Sequence, residues 1–114
     1  MELQISELDS GILGISLSGR MDSAGAQEID LRFTALTVTR KLPVLVDLSA
    51  VTFLASIGIR TLVTSAKAQK RRGGGFVLYR PSVPVQEVLV SAGIDAIIPI
   101  AHDMEGARKA LELV

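Results

Sequence analysis

Apolar and polar positions alternate through the first twenty residues. "LQISEL" places Leu3 and Ile5 on one face, and "ILGISLS" does the same with Leu13, Ile15 and Leu17. A two-residue period is that of a half-buried strand. Asp9, Ser10 and Gly11 between the runs have turn chemistry, so the two strands are expected to form a hairpin. After Gly19 the period lengthens: Ala26, Ile29, Phe33 and Leu36 fall on one helical stripe, while Gln27, Glu28, Asp30 and Arg32 face away. Asp22 or Ser23 is placed to cap this helix. "PVLVDLS", residues 43–49, lacks alternation and is rich in branched side chains, as a central parallel strand covered on both faces would be.

Ile59, Leu62, Val63 and Ala66 give an i, i+3, i+4, i+7 stripe for a second helix. Gly73, Gly74 and Gly75 end it and release the chain into "FVLY", another short buried strand. Ser82 and Pro84 open a third helix with Val85, Val88, Leu89 and Ala92 inward and Gly93 as its stop. "AIIPI" is expected as a fifth strand, and Pro99, which lacks an amide donor, points to a sheet edge. Asp103 can cap a last helix with Met104, Ala107, Leu111 and Val114 inward. The order β-β-α-β-α-β-α-β-α requires crossover connections. It predicts an α/β fold: a mixed, mainly parallel five-stranded sheet with four helices, in a single domain over residues 1–114.

Composition narrows the function. At 48% apolar and 21% charged residues the chain has a globular balance. Twelve basic and twelve acidic side chains cancel, which removes the general attraction to nucleic acid or an anionic membrane. There is no cysteine, hence no disulfide frame and no thiolate metal site. "MELQISELDSG" lacks the basic flank and apolar block of a secretory signal, and no apolar run approaches the ~20 residues of a membrane span, so a cytoplasmic location is expected.

Candidate chemistry is sparse. His102 is the one histidine, and no G-x-S-x-G surrounds a serine, so the chain is not expected to be an enzyme. "RRGGGFVLY" is neither a P-loop nor a dinucleotide fingerprint, and its glycines read as a helix stop. Lys67, Lys70, Arg71 and Arg72 fit the negative end of the second helix's dipole. The carboxylates have no metal-ligand spacing; no metal, cofactor or small-molecule substrate is expected. Asp47 interrupts a buried run and needs partners, which amides at the strand's end would supply. Ser56 lies between the central strand and the second helix, on the edge where parallel sheets gather functional groups. There it reads as an N-cap or as a regulatory hydroxyl beside free amides that favour an added phosphate.

The element order, with "LSGRMDSAGAQEI", "VLVDLSAVTFLASIGIRTLV" and "GGGFVLYRPSVPVQEVLVSAGIDAIIPI", resembles the STAS family of bacterial anti-sigma-factor antagonists and related domains over essentially the whole chain. By position, Asp47, Leu48 and Ser49 match the family's strand end, and Asp22 the aspartate after the second strand. Ser56 falls on the serine that partner kinases phosphorylate, and Gly58 on the glycine that follows. Ala55 stands where the antagonists carry an aspartate, and Ile57 replaces a second serine or threonine. The resemblance implies a surface of Asp22, Ser23, Ala55, Ser56, Ile57, Gly58, Arg60, Thr61 and Thr64 that binds an anti-sigma factor with serine kinase activity. Phosphorylation of Ser56 would switch that binding off, regulating transcription by partner switching. Two other readings stay open. One is a fixed STAS adaptor that docks on a transporter ATPase without phosphorylation. The other is binding of a nucleotide or small anion at the same helix N-terminus, against which the missing glycine-rich loop counts.

Overall fold

The computed structural model describes residues 1–8, 11–39 and 43–112. The two alternating runs form β1 (Glu2–Leu8) and β2 (Ile12–Met21), paired antiparallel from Glu2 with Ser18 to Leu8 with Ile12. Asp9 and Ser10 of the expected turn lie outside the described residues. The chain continues through α1 (Ser23–Thr39), β3 (Val44–Leu54), α2 (Ser56–Arg71), β4 (Phe76–Tyr79), α3 (Val83–Ser91), β5 (Ile100–Ala101) and α4 (Met104–Glu112). The sheet order is β1-β2-β3-β4-β5, and every pair after the first is parallel. This is the α/β architecture expected from the pattern.

Two apolar layers hold the sheet. Leu13, Ile15, Leu17, Val44, Val46 and Leu78 face α1, α2 and α3, where Ile29, Phe33, Leu62 and Leu89 are buried against them. On the other face Ile12, Leu45 and Val77 meet Ala107 and Leu111 of α4. Each of the larger side chains contributes about 1.5–3 kcal/mol by leaving water. The rest of that second face, at Gln4, Ser16, Ser18, Asp47 and Ser49, is polar and uncovered by any described helix.

Four expectations need correction. First, β3 runs five residues past Ser49. Two register shifts explain it: β3 advances from Asp47 to Ala50 while β2 advances from Ser16 to Ser18, and from Val51 to Phe53 while β2 advances from Gly19 to Arg20. Each extra residue breaks the two-residue alternation by which a strand is recognised. Asp47 serves the first shift, accepting the Ser49 amide at 2.9 Å.

Second, "AIIPI" is mostly not a strand. Gly93 adopts a left-handed conformation (φ 74), Ile94–Ala96 form a short 3-10 turn, and the Ile98 amide donates to the Ile94 carbonyl at 2.8 Å. That turn buries Ile94 and Ile98 and leaves Ile97 exposed. Pairing with β4 starts only at the Pro99 carbonyl, which accepts the Leu78 amide at 3.0 Å.

Third, Ile5 is 44% exposed although it shares a face with buried Leu3. Contacts of α1 with β1 gather at Leu3, whose carbonyl accepts Arg32 Nη1 at 3.1 Å, and Ile5 lies beyond them on the edge strand. Fourth, α3 buries only Val85 and Leu89; Val88 and Ala92 are on its exposed side. In α4, Ala107 and Leu111 are buried and Met104 partly so, while Val114 lies outside the described residues.

Candidate functional site

The site begins with two neighbouring strand ends. Met21 closes β2, Leu54 closes β3, and the two are paired in register, so α1 and α2 start side by side on one edge of the sheet. The Ala55 amide donates to the Met21 carbonyl at 3.0 Å, tying the second start to the first. Asp22 is the cap of α1: its Oδ1 accepts the Gly25 amide at 2.8 Å, and Ser23 is the first helical residue. A Cβ on Gly25 would sit 2.0 Å from the Arg20 carbonyl oxygen, so only glycine fits there.

Arg20 reaches Asp22 Oδ2 at 3.5 Å and lies 4.4 Å above the Phe53 ring. The Gly25 hydrogen bond above all, with Arg20 beside it, outweighs the opposing desolvation and holds the Asp22 carboxyl below its ordinary pKa. Phe53 is 41% exposed beside this pair. Sequence reasoning assigned it no role, because the bulge that turns it outward is invisible in the residue pattern.

Ser56 is not the N-cap. Ala55 holds that position, in extended conformation (φ −96, ψ 169), and Ser56 is the first residue of α2. The one-residue difference follows from the longer β3. An alanine offers the first-turn amides no side-chain acceptor, so this helix end keeps its positive character unneutralised by a cap. Ser56 is exposed, and its hydroxyl makes no hydrogen bond among the described residues.

Behind Ser56 a groove of about 290 Å³ runs between the helices, lined on α2 by Ile57, Arg60, Thr61 and Thr64 and on α1 by Ala26, Gln27, Asp30 and Thr34. The structure thus brings Asp22, Ser23, Ala55 and Ser56 to one end of the groove that Ile57, Arg60, Thr61 and Thr64 line. Thr61 Oγ1 is turned back to the Ile57 carbonyl at 3.2 Å. Gly58 is different: it is buried, and a Cβ there would lie 2.7 Å from Met21 Cγ and 2.9 Å from Leu54 Cδ1. It lets α2 sit directly on the strand ends and presents no surface of its own.

The remaining candidates lie elsewhere. Asp47 and Ser49 are on the open sheet face, and His102 is exposed beside Asp103, which caps α4 through the Gly106 amide at 2.7 Å. Among the basic residues ending α2, Arg72 donates Nη1 to the Thr37 carbonyl of α1 at 3.4 Å. Among the described residues, no three metal-ligating side chains gather, and no helix is long and apolar enough to cross a membrane.

A family model for the STAS domain matches residues 5–107. BtrV of Bordetella bronchiseptica, assigned as an anti-sigma factor antagonist, is 29% identical over 112 residues, covering 98% of this chain and 96% of that protein. An anti-sigma factor antagonist from Mycobacterium paratuberculosis superposes with a TM-score of 0.84 at 25% identity, over 97% of this chain and 93% of the other. A STAS anti-sigma-factor antagonist from Planctomyces limnophilus gives 0.79 at 26% identity, over 92% and 93%.

Proposed function

This chain belongs to the STAS family, and from that membership we propose that it is an anti-sigma factor antagonist, binding an anti-sigma factor with serine kinase activity and released by phosphorylation of Ser56. The observation that carries the reading is the state of Ser56: an exposed, unengaged hydroxyl on the first residue of a helix that has no capping side chain, at the end of a lined groove. The chain acts by binding, with no catalytic step of its own, and in this reading it works in the cytoplasm. Phosphate would add roughly −1.5 to −2 charges at neutral pH. The open amides and dipole of α2 stabilise that charge within this chain, while a partner that approached a neutral serine meets a dianion it must desolvate. The switch is electrostatic and needs no refolding.

Capture from an extract of the native host with wild-type, Ser56→Asp and Ser56→Ala baits tests this. Wild type and Ser56→Ala should retain an ATP-binding kinase-like protein that Ser56→Asp loses, and mass spectrometry should find phosphate on wild-type Ser56. Equal retention by all three, with no phosphate, would replace this reading.

Ala55 supports a second reading. Without a carboxylate beside Ser56 to orient its hydroxyl, the same groove would serve a constitutive adaptor, for instance one docking on a transporter ATPase. Recovery of such an ATPase equally by all three baits is its expected outcome.

A further inference from the structure

Among the described residues, the outer edge of β1 has no strand beside it. Its outward-facing groups, one of them a carbonyl already bonded to Arg32 Nη1, can be named from the ladder. Leu13 directs its amide to the Pro43 carbonyl, hence toward β3, and successive residues of a strand point their hydrogen-bonding groups to opposite sides. Ile12, Gly14, Ser16 and Ser18 therefore bond β1 through Leu8, Ser6, Gln4 and Glu2, their partners in register. Leu3, Ile5 and Glu7 direct their amides and carbonyls outward. The Arg32 bond to the Leu3 carbonyl agrees with this assignment.

Edge strands are normally protected by lysine, proline or a bulge. β1 has no lysine, proline or bulge over its seven residues; its only charges are Glu2 and Glu7 toward its ends, and it carries an exposed isoleucine at its centre. What it carries instead is a self-complementary pattern. With two copies antiparallel about Ile5, Ile5 faces Ile5, Gln4 faces Ser6, Leu3 faces Glu7 and Glu2 faces Leu8, so no two acidic residues are directly opposed. Glu7 lies on the same sheet face as Leu3, and in this register its carboxylate enters the groove of about 390 Å³ that flanks the facing copy's Leu3, where Arg32 is exposed. Glu2 and Glu28 also line that groove; Glu28 is engaged by the Met1 amino group at 3.0 Å, which leaves Glu2 as the competing carboxylate. A register shifted by two either way shortens the paired stretch within the seven residues of β1 to five; one direction sets Glu7 opposite Ile5, away from the arginine, and the other sets it opposite Met1.

We propose that β1 is a homodimerisation edge: two copies of this chain join through antiparallel β1 strands centred on Ile5, extending the sheet across both and pairing Glu7 of each with Arg32 of the other. A seven-residue strand pair is a small interface, so association is weak, with a Kd on the order of 10–100 µM. The contact leaves the groove between α1 and α2 free, and it is independent of the function proposed above.

Sedimentation velocity of the full chain from about 10 µM to about 1 mM reads the association. The mass should rise toward the dimer for wild type and stay monomeric for Ile5→Lys. Glu7→Arg and Arg32→Glu should each weaken association by roughly tenfold or more, and the two together should recover most of it. Circular dichroism confirms that each variant is folded. Amide hydrogen exchange of Ile5 and Glu7 should slow with rising concentration, while that of Gln4 and Ser6, already bonded to β2, should not change. A wild type that stays monomeric to about 1 mM, a dimer that survives Ile5→Lys, or a double reversal as weak as the single ones would each overturn the proposal.

Discussion

At Asp22 one side chain does two jobs. It caps α1 through Gly25 and holds Arg20 near the exposed ring of Phe53. Because its pKa is lowered in the fold, the sign of its pH effect is fixed. Its stabilising contribution is complete above the unfolded value of 3.8 and is lost as pH falls through the lower folded value. Asp22→Asn keeps a capping oxygen without the charge. Urea unfolding of the two proteins should show wild type ahead at about pH 6 and the difference shrinking as pH falls below 3.8. An unchanging difference across that range would place the effect elsewhere. Asp22→Ala, which also removes the cap, should unfold at lower urea than either. The capping role of Asp22 is legible in the sequence, since an aspartate before an apolar stripe has a local meaning. The requirement for glycine at position 25 is not, because it depends on where the Arg20 carbonyl ends up in space.

At the scale of elements, α2 is seated by the absence of a side chain. Gly58 brings its first turn against Met21 and Leu54. Gly58→Ala gains roughly 1 kcal/mol of helix propensity but inserts a methyl where three atoms lie within 3.1 Å. Overpacking of about 1–3 kcal/mol should win, so the variant is expected to unfold at lower urea and to bind its partner less well because Ser56 is displaced. A variant more stable than wild type would show that α2 has room to move. The apolar stripes of α1 and α2 and the branched run of β3 were readable, being periodic or continuous over several residues. The far half of β3 was not: two bulges break its alternation, and with it went the exact start of α2 and the outward turn of Phe53. The fifth strand is present but shorter and later than the composition suggests, for a related reason. Ile97, Ile98 and Ile100 look like a strand by composition, yet the left-handed Gly93 throws the chain into a helical turn that delays pairing to Ile100.

For the whole molecule, the parallel order of β2, β3 and β4 collects two helix starts on one sheet edge, and the groove between those helices opens behind Ser56. Of the surface that the family resemblance implies, Ile57, Arg60, Thr61 and Thr64 line this groove, and Gly58 is buried beneath it. As proposed above, this surface binds a kinase-type anti-sigma factor only while Ser56 is unmodified. Titration calorimetry of the captured partner against wild type, before and after stoichiometric phosphorylation of Ser56, tests it most directly. Affinity should fall by roughly tenfold or more on phosphorylation. Equal affinities of the two forms would contradict it.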